Sequence, residues 1–342
     1  MPRVLIASGA ILLLFSGLFA SARQAAPTAL DTTAFVCPMH PDYTLDIAGT
    51  CPRCGMALVR ATPFDVRDYV LEFRAGPVQK DRPYDKNRPY DSPVLVRAGE
   101  KVTWQFGIRH PGTGEQVRSL ELVHERPYHL FVISQNMEHF QHIHPQQQPD
   151  STWTIDVTLP KAGYYTVLSD FLPTGGASQL ISRPLVTAGF SGDLAGDSAH
   201  LTPDSSPMKV VGDITASVSF DPPAFVAGLY GHLIFHLTDT KTGQPITDLQ
   251  TYLGAFGHTL IMSEDMLDYV HSHSLDILAA EDDDGVPQFL IPPGADLEKL
   301  RGGPGVTFDG LMPKPGRYRA WTQFRRNDVV HTFTTTFSVA AP

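Results

Sequence analysis

The 342-residue chain has few cysteines and few charged residues. Its three cysteines lie between residues 37 and 54, and an odd number cannot close completely as disulfides. Charged residues make up 18% of the chain, with 36 acidic and 26 basic side chains and a formal net charge of −10. Because such a chain repels phosphate backbones, we expect no nucleic-acid partner.

The sequence also lacks the local signatures of enzymes. It contains no nucleophile elbow, phosphate-binding loop, dinucleotide fingerprint or HExxH motif. Its serine, aspartate and histidine residues follow no order or spacing that marks a catalytic triad. We therefore predict that the protein is not an enzyme and has no catalytic site.

Only one hydrophobic run approaches the length of a membrane span. Residues 4–19 are apolar, follow Arg3, and precede the small residues Ala-Ser-Ala at 20–22. This pattern predicts a signal peptide over residues 1–22 and a linker over 23–34. We expect a soluble periplasmic or secreted protein. The alternative is an uncleaved N-terminal membrane anchor, because the run is nearly long enough to cross a bilayer.

The cysteines belong to a set of four candidate metal ligands. Cys37 and His40 are separated by two residues, and so are Cys51 and Cys54. Two such pairs on a short loop can converge on one ion, as in a closed tetrahedral zinc site. Met39 and Met56 lie near these ligands and add thioethers, so Cu(I) and Ag(I) are candidates as well as zinc. One disulfide plus a free thiol is the alternative.

The pairing of CPMHP with CPRCGM resembles the small heavy-metal-binding domain at the N-termini of periplasmic adaptor subunits of copper and silver efflux systems. The resemblance covers residues 35–59 and implies that a module over residues 35–60 binds metal. It leaves open whether the ion is cargo or a structural staple. The rest of the chain does not resemble an adaptor subunit.

Beyond this module, the chain contains an internal repeat. PYHLFVISQNMEHFQHIHP at 127–145 aligns with FGHTLIMSEDMLDYVHSHS at 256–274, and further landmarks match on both sides. The short strands and the 29 prolines and 28 glycines indicate β-sandwiches. We predict an all-β protein in which a metal-stapled module precedes two immunoglobulin-like or cupredoxin-like sandwiches. The predicted segments are a transition loop at 61–93, repeat 1 at 94–188, a linker at 189–208 and repeat 2 at 209–342.

Each repeat carries three histidines at the same spacing. In the hairpin of repeat 1, we expect paired residues to have numbers that sum to 273, which places the first triad on one face. The equivalent hairpin of repeat 2 places the second triad on one face in the same way. The two triads are His129, His142 and His144, and His258, His271 and His273. Three imidazoles suit Zn(II) or Cu(II), whereas a blue-copper site would need a thiolate.

The histidines outside the triads are weaker candidates for metal ligands. His331, with Gln179 at the equivalent place in repeat 1, is a weak candidate for a fourth ligand. Four further histidines have no matching partner in the other repeat, and we expect them to be ordinary surface or core residues; they are His110, His124, His232 and His236. Neutral imidazole is the ligand, so metal affinity should fall below the unperturbed histidine pKa of about 6.5.

These features predict an exported protein that binds copper, silver or zinc for capture, buffering or delivery. Its expected partners are the metal ion and a membrane efflux or metal-delivery complex. One alternative is a β-sandwich interaction protein of a membrane complex with a structural zinc module. A second is a metalloenzyme with a three-histidine site.

Overall fold

The computed structural model describes residues 34–38, 43–52, 56–61, 68–76, 96–193, 195–274, 278–281, 287–289 and 296–342. Across them the chain is all-β, as predicted, with a single 3₁₀ turn at Leu297–Lys299 as its helical element. No helix within these residues is long and apolar enough to cross a bilayer. The predicted signal peptide lies outside the described residues.

A small three-stranded antiparallel sheet forms the N-terminal module. Its strand order is β2-β1-β3, and its bounds are β1 Ala34–Val36, β2 Thr44–Leu45 and β3 Val59–Ala61. Cys37, Cys51 and Leu58 form its buried hydrophobic cluster. Such a core is too small to hold a sheet by packing alone, which fits a module that needs a metal.

Repeat 1 is a sandwich of two four-stranded sheets, β4-β5-β9-β8 and β11-β10-β6-β7. Its strands are β4 Val70–Ala75, β5 Lys101–Arg109, β6 Tyr128–Ser134, β7 Phe140–Ile143, β8 Gln146–Gln147, β9 Trp153–Thr158, β10 Tyr164–Phe171 and β11 Gln179–Val186. The assignment of 61–93 as a transition loop is therefore wrong at β4. This strand alternates buried and exposed side chains and pairs with β5.

Repeat 2 is a similar pair of sheets with additional strands. Its strands are β12 Met208–Val211, β13 Ile214–Asp221, β14 Phe225–Val226, β15 Tyr230–Asp239, β16 Leu249–Gln250, β17 His258–Ser263, β18 Tyr269–His273, β19 Leu278–Glu281, β20 Pro287–Phe289, β21 Arg301–Gly302, β22 Gly305–Leu311, β23 Gly316–Arg326 and β24 Val329–Ala340. One sheet runs β12-β13-β15-β22, and in the other β24, β23, β17 and β18 are successive neighbours. β6 and β17 thus occupy equivalent places.

β6 and β17 are buried on both faces, unlike ordinary sandwich strands. β15 alternates buried and more exposed side chains, as expected where one face meets solvent. In β6, by contrast, the first six residues are buried, and in β17 all six are. One face of β6 lies in the repeat 1 core with Leu130, and the opposite face carries Phe131 into a different cluster. Each strand therefore separates two cores.

The second of these cores joins the two repeats. It combines side chains of both hairpins and of β10 and β23; its buried members are Phe131, Ile133, Met137, Leu168, Ala199, Leu201, Leu260, Met262 and Trp321. Phe140 of repeat 1 stacks on Trp321 of repeat 2, with ring centroids 4.8 Å apart and planes at 6°. Arg319 donates to the carbonyl of Met137 at 2.9 Å. The repeats therefore share a packed interface.

The linker between the repeats also packs into this interface. Its residues Ala199 and Leu201 are buried in the shared core. The backbone N–H of Leu201 donates to Glu264 at 2.5 Å, and Arg317 donates to the Leu201 carbonyl at 2.7 Å. The segment at 189–208 is rich in turn residues, as predicted, but part of it belongs to the core.

Trp321→Ala should test how much this interface contributes to the free energy of unfolding. The indole is 2% exposed, so its removal leaves a cavity, and we expect the free energy of unfolding to fall by about 3–5 kcal/mol. Denaturant titration followed by circular dichroism measures the change. Tyr230→Ala is the control, because Tyr230 is 64% exposed and should change stability by at most about 0.5 kcal/mol. Equal effects of the two variants would contradict the interface.

Candidate metal centre

The two histidine hairpins have the register that the sequence predicts. In repeat 1, Phe131 pairs with His142 and Leu130 with Ile143, so the paired numbers sum to 273. In repeat 2, His258 pairs with His273 and Leu260 with His271. Each turn includes a methionine at positive φ, 58° at Met137 and 59° at Met266. This shared turn fixes both registers.

The triads lie on the faces that meet across the interface. His129 follows the alternation of Phe131, and His258 follows that of Leu260, so both point away from their own sandwich cores. The rings of His129 and His271 come within 5.3 Å, centroid to centroid. The interface thus brings the two triads into one cluster, an arrangement that was not predicted from the sequence.

A seventh histidine belongs to the same cluster. His124 is buried, and its ring centroid lies 4.8 Å from His258, 4.9 Å from His271 and 5.1 Å from His273. It stands on a short loop with a positive φ of 50°. The interpretation of His124 as an ordinary residue is wrong, since this repeat 1 side chain sits among the histidines of repeat 2.

Three histidines form the tightest group. The ligand atoms of His129, His142 and His271 all lie within 4.8 Å of one another. His129 Nδ1 is 3.0 Å from His142 Nε2 and 3.2 Å from His144 Nε2. Two members come from repeat 1 and one from repeat 2. Modest side-chain adjustment would bring three nitrogens to the 2.0–2.1 Å typical of a common zinc ion.

Each ring in this group uses its other nitrogen to bind an outer acceptor. His129 Nε2–H donates to the Val123 carbonyl at 2.8 Å, and His142 Nδ1–H donates to Gln323 Oε1 at 2.9 Å. His271 Nδ1–H donates to Asp170 Oδ2 at 2.8 Å. Such acceptors fix the tautomer of metal-binding histidines and raise their basicity. The sequence interpretation missed Asp170 and Gln323.

These acceptors cross the interface symmetrically. Asp170 lies opposite His129 on β10 of repeat 1, yet it supports His271 of repeat 2. Gln323 lies opposite His258 on β23 of repeat 2, yet it supports His142 of repeat 1. The two residues occupy equivalent positions, so each repeat holds a ligand of the other. Both are polar residues one position before a buried phenylalanine near the end of the strand, and the repeat alignment places them at the same position.

The outer bonds leave unprotonated nitrogens facing one another. A neutral imidazole has one N–H, so His129 Nδ1 and His142 Nε2 both carry lone pairs at a separation of 3.0 Å. His271 Nε2 and His258 Nδ1 are buried and have no hydrogen-bond partner among the described residues. Buried polar atoms normally find partners. The donor set therefore fits a cation, which would satisfy these lone pairs together.

A proton does not readily take the place of that cation, because the pKa values of several clustered histidines are lowered. Burial lowers the pKa of His129 to about 4 and that of His144 to about 3. Burial also lowers the pKa of His142, His124 and His258 well below the usual value, and neighbouring histidines add to each shift. These five histidines therefore titrate below the unperturbed value of about 6.5.

The proposed fourth ligands lie elsewhere. His331 Nε2 is 3.2 Å from Asp213 Oδ1. Gln179 accepts a hydrogen bond from the backbone of Tyr69 at 2.9 Å. In the N-terminal module, Cys37 and Cys51 are buried, and their N–H groups donate to Tyr43 and Met56 carbonyls at 3.1 and 2.9 Å. The remaining predicted ligands, His40 and Cys54, lie outside the described residues.

Metal-free protein should lose stability as the pH falls from about 6.5 to 4. The folded pKa of His129 and His144 is depressed, so the unfolded chain binds protons that the folded chain excludes. Each such histidine should lower the unfolding free energy by up to about 1.4 kcal/mol per pH unit in this window. Denaturant titration with a chelator, at pH 7.5, 6.0 and 5.0, measures the slope.

His144→Gln is the matched variant for this slope, because it retains polar contacts without a titrating ring. Its unfolding free energy should depend less steeply on pH than that of the parent protein. Identical slopes in both proteins would show that His144 does not remain neutral in the folded state.

Comparison with protein families and with solved structures shows what the chain resembles. Residues 34–61 match the family model described as a heavy metal binding domain, which supports a metal-binding module there. Among solved structures, the Escherichia coli adhesin FdeC is 12% identical with a TM-score of 0.20, over 79% of this chain and 64% of that one. A membrane-anchored protein of Corynebacterium diphtheriae is 10% identical with a TM-score of 0.20, over 80% and 59%.

The adhesin InvE of Yersinia pseudotuberculosis is 9% identical with a TM-score of 0.19, over 72% of this chain and 55% of that one. The chain thus spans less than two thirds of the length of each of these three structures. A search of curated proteins finds no match. The family model described as a domain of unknown function, DUF8832, matches residues 91–182 and 209–341, about two thirds of the chain including all seven clustered histidines, and the protein therefore belongs to the DUF8832 family.

Proposed function

We propose that this protein is an exported metal-binding protein that captures copper, silver or zinc outside the cytoplasm and buffers or delivers it. The observation that carries the proposal is the opposition of His129 Nδ1 and His142 Nε2 at 3.0 Å, with both ring protons directed outward. Without a shared cation or proton, two lone pairs at that distance repel. His271 supplies a third nitrogen from the other repeat.

The donor chemistry narrows the ion. Imidazole nitrogens suit Zn(II) and Cu(II), whereas Ca(II) and Mg(II) prefer oxygen ligands. The N-terminal module offers thiolates and thioethers, which suit Cu(I), Ag(I) and Zn(II). Both donor sets accommodate copper, in different oxidation states, and both accommodate Zn(II). Zinc is the redox-inert alternative for the same ligands.

Binding, rather than catalysis, is the role that the surroundings favour. The carboxylate of Asp170 is engaged by His271, so it orients a ligand and is not placed as a general base. His129, His124, His258 and His273 are buried. A ligand set of this kind excludes water and suits retention of an ion.

Export and delivery complete the proposal. The N-terminal apolar run followed by small residues supports secretion. The resemblance of the cysteine module to those of efflux adaptors motivates a membrane efflux or metal-delivery complex as the partner. The module would then supply the soft-metal site, and the histidine cluster the enclosed one.

Removal of two cluster ligands should abolish binding at the tightest group. In a Cys51→Ser, Cys54→Ser background, His129→Ala with His142→Ala should lower the Zn(II) or Cu(II) content by at least one ion per chain. The measurement is metal analysis after gel filtration, together with titration against a chromophoric chelator. Equal metal content with and without the histidine substitutions would contradict the proposal.

The matched control is His200→Ala with His236→Ala, since both side chains are exposed and lie outside the cluster. This variant should retain the full metal content of its background. Circular dichroism of all variants checks that a loss of metal is not a loss of the fold.

The cysteine module should bind one Cu(I) or Ag(I) ion independently of the histidines. Cys51→Ser with Cys54→Ser in the full chain should lose one ion in competition with a Cu(I) chelator under reducing conditions, because two of the four ligands are gone. His129→Ala with His142→Ala is the control and should retain this ion. Unchanged Cu(I) binding in the cysteine variant would remove the module from the proposal.

A further inference from the structure

The cluster contains more imidazole ligands than one ion uses. A zinc ion in a protein takes four ligands, of which three are histidines in the richest common sites. Seven histidine rings form one connected group here; they are His124, His129, His142, His144, His258, His271 and His273. If the tightest group takes His129, His142 and His271, four rings remain beside it.

Three of the remaining rings surround a second position. His124 lies 4.8 Å from His258 and 5.1 Å from His273, and those two are 6.2 Å apart, all between ring centroids. Rings that share a tetrahedral ion at 2.0–2.1 Å have centroids about 5 Å apart. The two shorter separations fit this value, and the third requires a small closure.

The hydrogen bonds of two of these rings fix their tautomers. His258 Nε2–H donates to the Leu253 carbonyl at 2.9 Å, and its Nδ1 is buried with no partner among the described residues. His273 Nδ1–H donates to the Ser274 carbonyl at 3.0 Å. As in the first group, outer acceptors hold the ring protons and fix the tautomers, and here both acceptors are backbone carbonyls.

His124 is an addition that repeat 2 does not share. The equivalent loop residue in repeat 2 is Leu253, which has nearly the same positive φ, 55° against 50°. The same loop conformation thus accepts leucine, and the backbone does not require histidine. The imidazole is nevertheless buried against three rings of the other repeat. A role as ligand explains a polar ring at this buried place.

We propose that the cluster holds two transition-metal ions, the first bound by His129, His142 and His271 and the second by His258, His273 and His124. This inference rests on the proposed function. Each ion takes two ligands from one repeat and one from the other. His144 stands beside the first group at 3.2 Å from His129 and can serve as its fourth ligand. Because two cations in neighbouring positions repel, the second ion binds more weakly than the first.

The test counts ions in the full chain with Cys51→Ser and Cys54→Ser, using Zn(II) as the probe. We expect two ions per chain in this parent protein, released in two steps by a competing chelator. His124→Leu should retain one ion, and His142→Gln should also retain one. The leucine at 124 copies the residue of repeat 2, so the fold should persist, as circular dichroism and the free energy of unfolding can verify. His200→Leu is the control and should retain both ions.

The outcomes separate this inference from the function on which it rests. A parent protein with no Zn(II) and no Cu(II) would contradict both. One ion in the parent, unchanged by His124→Leu, would leave metal capture intact and overturn the second site. Two ions in both the parent and the His124→Leu protein would overturn the assigned ligands, because His124 would then bind neither ion.

Discussion

The packing of β6 against β17 across the repeats is the constraint on which the candidate site depends. Both strands are buried on two sides, so every second residue of each faces the other repeat. The apolar residues of those faces exclude water, and the histidines at the strand starts lie at the edge of the same packed surface. Burial then keeps the imidazoles of His129 and His258 neutral, which is the form that binds metal.

The two hairpins could be predicted from the sequence, whereas the contact between them across the repeat interface could not. Alternation and the aligned HxH motifs were enough to obtain the register of both hairpins, because a slip of one residue would bury the wrong face. The partner of each face depends on contacts between residues more than 100 apart, as in Asp170 with His271. One signal was present: the unbroken apolar runs at 130–133 and 260–262 are too long for a strand with a solvated face.

His124 shows why a repeat alignment alone was insufficient for the site. The alignment favours residues that both copies share, and His124 has leucine at the equivalent position. Its place in the cluster depends on a loop that extends across the interface. A loop has no side-chain periodicity from which this position could be predicted. β4 was missed for a related reason, since Val70–Ala75 lies among residues that otherwise read as a loop.

The exchange of supporting residues between the repeats has an evolutionary consequence. Equivalent positions on the two copies contact each other about an approximate two-fold axis, which is the arrangement of an isologous dimer formed by identical chains. An ancestor with a single repeat could therefore have assembled the cluster by pairing with itself. After fusion into one chain, the halves were free to differ, and Asp170 opposite Gln323 and His124 opposite Leu253 are such differences. Covalent duplication thus permits an asymmetric histidine cluster that a symmetric pair of identical subunits could not encode.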